Sequence, residues 1–409
     1  MNPLTTALAA GFDRMAPELL EIYRDLHRHP ELSMQERRTA GIAADYIEKL
    51  GYAVSREVGV TGVVGVLRNG DGPTVMLRAD MDALPMDEDT GLPYASQVAG
   101  AAHSCGHDLH VAWMLGAARV LAEARDAWRG TVLVVFQPGE ETAQGANAMV
   151  ADWDGAKLPR PDVILGQHVM VGPAGTVTYR AGVILSAGDS LQVTLFGRGS
   201  HGSQPQTSID PVVMAAATVM RLQTIVSREV SPLDSAVLTV GSLQAGTKEN
   251  IIPDEAIIKL NMRTYDEGVR EHMLEAVRRI CCAECEASGA PKPPGFTTLS
   301  SYPMTDNDRD ATARVAEAFH AQFGDDAREG KPAAASEDFS VFGRTWKVPY
   351  VFWFVGGTDP QAYAKARAEG TTNRIPSNHS PRFAPVLDPT LKTGLQAMLS
   401  AASAWLCVS

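Results

Sequence analysis

The octapeptide His103-Ser104-Cys105-Gly106-His107-Asp108-Leu109-His110 stands just before an apolar run, so a thiol and an imidazole lie two residues apart at a loop-to-helix junction. Thiolate and imidazole are both good ligands for zinc-like ions. A second cluster, Gly139-Glu140-Glu141, follows the apolar run Val132 to Gln137. Two adjacent carboxylates repel unless cations or a division of labour relieve them, with one binding a metal and the other acting as a general base. His168 follows another apolar run, 162–165, and His379 sits in Ser377-Asn378-His379-Ser380-Pro381. Taken singly, each has an ordinary reading: a polar turn, a solvated acidic turn, a structural histidine. Together, Cys105, His107, Glu141, His168 and His379 are enough ligands for two ions, and their types match transition metals rather than calcium or magnesium.

These residues need rigid elements to carry them. Apolar residues at helical spacing between Pro17 and Lys49 predict two amphipathic helices separated by 29–33. Short β-rich runs follow at 63–67, 74–78 and 131–137, with a helix over 110–124. Strands alternating with helices predict an α/β domain whose mostly parallel sheet has helices on both faces, and such sheets place sites at the C-terminal ends of their strands. Near residue 186 the rhythm changes to strand 190–197, helix 210–229, strands 236–243 and 256–264, helix 266–287 and a last strand at 296–299. That order fits a small α+β unit of ferredoxin-like type. The α/β pattern then returns with a helix at 310–323, a strand at 350–355 and a helix at 389–406. The expectation is a discontinuous domain of residues 1–186 and 297–409 around an inserted domain of 187–296.

The 409 residues exceed what one core usually serves. A 45% hydrophobic, 21% charged composition is that of an ordinary globular protein, and a net charge of −12 argues against nucleic-acid or anionic-membrane partners. The opening residues lack a basic n-region, and no run approaches the roughly 20 apolar residues of a membrane span, so a cytoplasmic location is expected. Five cysteines are too few and too unevenly placed for a disulfide framework. Cys281, Cys282 and Cys285 continue a helical run and read as buried helix thiols rather than a metal motif.

With these motifs in view, the sequence resembles the amidohydrolase branch of the two-metal aminoacylase/exopeptidase superfamily, which includes hippurate hydrolases, auxin-conjugate hydrolases and bacterial N-acyl-amino-acid amidohydrolases. The matching segments run in order along the chain: 27–33 (His-Arg-His-Pro-Glu-Leu-Ser), 78–85 (Arg-Ala-Asp-Met-Asp-Ala-Leu-Pro), 105–108, 138–141, 167–168 and 378–381. The resemblance implies that Cys105, His107, Glu141, His168 and His379 bind two divalent ions and that Glu140 is the general acid/base. Zinc suits the ligands best, with manganese, cobalt or nickel as alternatives. Where the wider superfamily has a His-x-Asp element, this chain reads Arg78-Ala79-Asp80-Met81-Asp82, which leaves the bridging ligand open. Asp80, Asp82, Asp108, His103 and His110 read either as groups that orient the ligands or as structural residues.

In the inserted block, 197–203 and 246–253 also match. The resemblance implies that His201 helps hold the oxyanion, in its own subunit or across a dimer, and that Asn250 and Arg263 bind a substrate carboxylate. It further implies a homodimer formed through the inserted domain, which would act as a lid with hinges at 182–188 and 291–294. The substrate expected is a small N-acyl amino acid. A dipeptidase or carboxypeptidase on the same scaffold and a non-catalytic binding protein are the competing readings.

Overall fold

A computed structural model describes residues 2–407 and divides the chain into two compact units. The first comprises Met1–Ile184, Asp306–Pro332 and Asp338–Ser409; the second comprises Leu185–Thr305 and Ala333–Glu337.

The first unit is a mixed α/β structure built on an eight-stranded sheet. At its centre the strands Gly130–Gln137, Thr74–Asp80, Val163–Pro173 and Tyr350–Thr358 lie side by side, each pair parallel. Antiparallel pairing enters through Gly62–Asn69 and the edge strand Ala53–Val58, an element the sequence patterns did not reveal. Parallel central strands are buried on both faces, and 132–136 and 75–77 accordingly read as unbroken apolar runs.

Helix His107–Glu123 is buried almost all round, as a helix with little amphipathic contrast must be. It packs against helices Pro3–Arg28 and Leu387–Leu406. Glycines permit the close crossings: a Cβ on Gly116 would meet Leu395 Cδ2 at 2.5 Å and Leu19 Cδ1 at 2.8 Å, and one on Gly394 would meet the Trp113 ring at 2.0 Å. The first helix begins at Pro3, well before the expected start near Pro17. Asn2 caps it by accepting from the Thr5 amide, and Leu4, Leu8, Met15 and Leu19 bury one face through the Pro17 position.

In the second unit the elements run βαββαβ: Ala187–Phe196, Pro211–Thr224, Ala236–Ala245, Glu255–Thr264, Glu267–Ala287 and Gly295–Tyr302. The four strands form an antiparallel sheet with Ala187–Phe196 and Glu255–Thr264 inside and the other two at the edges. The boundary expected at 296/297 falls inside a strand. Gly295–Tyr302 pairs along its length with Ala187–Phe196, which keeps 297–305 in this unit. A return segment, Ala333–Glu337, belongs here too. The Ser186 amide donates to the Ala333 and Ala335 carbonyls, and Arg263 donates to Ser336. Cys281 and Cys285, one helical turn apart, face this unit's core beside Met214, whereas Cys282 is exposed, contrary to the expectation for that residue.

Candidate metal centre

The C-terminal ends of the central strands deliver the site. Thr74–Asp80 ends on Asp80, Gly130–Gln137 leads into a tight turn holding Glu140 and Glu141, and Val163–Pro173 carries His168. Helix His107–Glu123 starts on His107, with Gly106 as its N-cap at φ 94°. A Cβ on Gly106 would lie 2.4 Å from Val169 Cγ1, so this junction demands glycine. His379 arrives on a C-terminal loop in a left-handed conformation, φ 69°, uncommon for histidine. Its amide donates to the Ser104 carbonyl, while Asn378 Nδ2 donates to the carbonyls of Cys105 and Val169.

All five expected ligands come together. One ligand atom each from Cys105, Glu141 and His379 fall within 4.8 Å of one another, as do those of Asp80, His107, His110 and His168, and those of His107, Glu140 and Glu141. Cys105 Sγ lies 3.5 Å from His168 Nε2, and His107 Nε2 lies 3.9 Å from Glu141 Oε1. Glu140 is buried.

Hydrogen bonding fixes which atoms remain for an ion. His168 Nδ1 lies 2.7 Å from its neighbour's carbonyl, Val169 O, which can only accept; the proton is therefore on Nδ1 and the Nε2 lone pair faces the cluster. Burial, then the neighbouring His110, holds His168 well below the usual imidazole range, so it is neutral and ready to ligate. His110 has both nitrogens engaged, with Nδ1 donating to Asp80 (2.5 Å) and Nε2 accepting from the Val169 amide (3.0 Å). It orients Asp80 and the strand bearing His168. His107 points Nδ1 at Asp82 (3.3 Å). Asp82 Oδ2 accepts from the Ser33 hydroxyl and the Glu141 amide.

Two atoms test whether a cation fits. Among the described residues, His107 Nε2 and Glu141 Oε1 are buried with no hydrogen-bond partner. His379 Nε2 approaches Glu141 Oε1 to 3.2 Å without hydrogen-bond alignment. Buried polar atoms are rarely left unpaired, and both are ligand atoms aimed into the cluster. Acid also outweighs base around it. Asp80, Asp82, Glu140 and Glu141 gather there, while the buried guanidinium of Arg78 is tied to Asp80, Gln137 and Asp338. Burial, then the Glu141 carboxylate, pushes the Cys105 thiol up, a penalty that a bound cation reverses. The residues fit a pair of divalent ions.

Several residues here carried no assigned role in the sequence reading. Glu36, fully buried, accepts from the amides of Gly139 and Met34 and from the Thr61 hydroxyl. Asp338 accepts from Arg78, Gln137 and the Ala146 amide. His27 holds Asp108 at the helix start through one ring nitrogen and faces Glu88 with the other. The matched segment 27–33 was the available signal for His27 and Ser33.

The remaining expected residues lie in the second unit. His201 and Ile251 pair across a two-stranded ladder, and the Gly202 amide donates to the Asn250 carbonyl, which brings His201 and Asn250 together on an exposed surface. His201 Nδ1 takes the Ser203 amide and hydroxyl as partners. Arg263 donates through Nε to Asn261 and through Nη1 to Ser336.

A sheet with a parallel centre that presents such a cluster at its strand ends marks a candidate metal centre of the kind metal-dependent hydrolases use. Comparison with known proteins names the family. The profile of Peptidase family M20/M25/M40 matches residues 76–372. A hippurate hydrolase of Campylobacter jejuni is 37% identical over 349 residues, covering 83% of this chain and 90% of its own. Thermostable carboxypeptidase 1 of Saccharolobus solfataricus is 34% identical over 384 residues, 93% of each chain. The crystal structure of Bacillus subtilis YxeP, described as a dinuclear metal binding peptidase from M20 family, superposes with a TM-score of 0.75 at 28% identity over 96% of this chain and 99% of that one. The chain belongs to peptidase family M20/M25/M40 and is an amidohydrolase-type enzyme of it.

His27 yields a prediction about pH. Burial opposes its charge, but Asp108 and Glu88 outweigh burial and raise it from 6.5 to about 10. A raised histidine stabilises the fold fully below its unfolded value near 6.5, and that contribution is lost as pH rises through about 10. In the metal-free protein, the urea midpoint of wild type should exceed that of His27→Gln by a margin that shrinks from about pH 7 to about pH 10. A margin constant over that range would refute the ion-pair account.

Proposed function

We propose that the protein cleaves the amide bond of N-acylated amino acids, with Cys105, His107, Glu141, His168 and His379 holding two divalent ions and Glu140 as general acid/base. The observation that carries this is the buried Glu140 carboxylate within 4.8 Å of ligand atoms of His107 and Glu141. Divalent ions bound there supply Lewis acidity toward a water molecule and toward an amide carbonyl.

Glu140 takes one proton from the attacking water as its oxygen bonds to the carbonyl carbon. It then returns that proton to the departing nitrogen, so that the C–N bond breaks to give a carboxylic acid and a free amino acid. Water-excluding walls suit a base that must alternate between charged and neutral forms. His201 is assigned to the oxyanion and Asn250 to the substrate carboxylate, with Arg263 as a further donor. The ligand types favour zinc, with manganese, cobalt and nickel as alternatives.

The hippurate hydrolase relative supports an N-acyl amino acid as substrate. A carboxypeptidase activity on the same centre is the second reading, supported by the Saccharolobus relative. No helix among the described residues is long and apolar enough to cross a membrane, which is compatible with the cytoplasmic location we propose. A homodimer through the second unit is supported by its edge strand Ala236–Ala245 and by Val213 and Met220, 64% and 72% exposed and one heptad apart on helix Pro211–Thr224.

Two experiments follow. Amine release from N-acetyl, N-benzoyl and N-lauroyl amino acids and a dipeptide should vanish on metal stripping, return on reloading, and fall about 10²- to 10⁴-fold in kcat for Glu140→Ala. Full activity of that variant would contradict the mechanism, and a dipeptide preference would favour the second reading. Sedimentation should give twice the chain mass, dropping to one chain mass when Val213 and Met220 are both replaced by Asp; a monomeric wild type would overturn the dimer.

A further inference from the structure

Ser33 and Glu36, two polar neighbours in sequence, hold the base-bearing turn from outside the cluster. Ser33 Oγ donates to Asp82 Oδ2 at 2.7 Å, and the same oxygen accepts the Glu141 amide at 3.0 Å. Three residues on, Glu36 Oε1 accepts the amides of Met34 (2.7 Å) and Gly139 (2.9 Å), while Oε2 accepts the Thr61 hydroxyl (2.5 Å). Gly139 and Met34 both adopt the left-handed conformation, φ 56° and 63°, and are pressed together so that a Cβ on Gly139 would lie 2.4 Å from Met34 Sδ. The turn holding Glu140 and Glu141 is therefore gripped at two points: at the Gly139 amide by Glu36, and at the Glu141 amide by the Asp82 oxygen that Ser33 orients.

We infer that Glu36, with Ser33 in support, is a positioning residue that sets the Gly139–Glu141 turn and so fixes the aim of Glu140. Glu36 touches no reacting atom. It presents two acceptor oxygens in a place where the backbone donors of an irregular turn have no ladder to join, and a buried amide left unpaired would pull the turn toward another conformation. Reactions that depend on a general base lose rate steeply when that base is displaced by about 1 Å. The inference rests on the reading of Glu140 as the base.

What the position requires is an acceptor for two amides. Gln supplies one through its carbonyl oxygen, and the Thr61 hydroxyl can reverse to accept from the Gln amide. Met supplies none. In metal-loaded enzyme, Glu36→Met should lower kcat about 10- to 100-fold with KM nearly unchanged, and Glu36→Gln should recover most of kcat. Hydrogen exchange gives a readout independent of turnover: the peptide spanning 137–144 should exchange faster in Glu36→Met than in wild type or Glu36→Gln. Should Glu36→Met not fold, Thr61→Val and Ser33→Ala provide milder versions, each expected to speed exchange in that peptide and to reduce kcat several-fold. Unaltered exchange and unaltered kcat in folded variants would overturn the positioning role. Glu140→Ala, assayed alongside, separates the two claims, since full activity there sinks the base assignment whatever Glu36 does.

Discussion

Lone pairs and carboxylates converge at one point inside this protein. Asp80, Asp82, Glu140 and Glu141 stand at the ends of two adjacent parallel strands with a thiol and four imidazoles, and Arg78 is spent on Asp80, Gln137 and Asp338. Such a gathering is costly in a low-dielectric interior unless a cation is shared among its members. Much else in the first unit serves that constraint. The parallel strands bring the carboxylates together, Gly106 lets the helix bearing His107 pass Val169, and the left-handed backbone at His379 in the C-terminal loop brings its ring to Glu141.

Ligand orientation comes from groups one layer out. His110 consumes both of its nitrogens in fixing Asp80 and the Val169 amide, His168 surrenders Nδ1 to a carbonyl, and Asp82 divides its oxygens between His107 and the Ser33–Glu141 pair. Each of these bonds removes a rotational choice. A ligand whose second nitrogen is committed presents its first in one direction, which is how the protein preorganises a centre before any ion arrives.

The residues that the fold gathers into this cluster could be singled out in the sequence because they lie in short local motifs. Cys105 and His107 share one short stretch and Glu140–Glu141 another, and each follows or precedes an element with a clear apolar pattern. Glu36, Arg78, Gln137 and Asp338 were not legible as a group. The contacts that tie them into the site, Arg78–Gln137, Glu36–Gly139 and Arg78–Asp338, reach 59, 103 and 260 residues along the chain, so only the folded sheet makes them neighbours. The first strand, Ala53–Val58, was hidden because it is short, irregular and half exposed at an edge. The domain limit near residue 297 was misplaced because proline-rich 291–294 looks like an exit, whereas the strand after it pairs back onto Ala187–Phe196. Tertiary pairing overrode a local signal there.

The central claim is that this cluster is a centre for two divalent ions, and metal stoichiometry tests it most directly. The metal-free chain should be titrated with zinc against a chromophoric chelator, followed by elemental analysis of the gel-filtered product, for wild type and for Cys105→Ala with His168→Ala. The account predicts two tightly bound ions per wild-type chain and a clear loss in the double variant. Wild type that retains no ion, or a double variant that binds as many and as tightly as wild type, would contradict it.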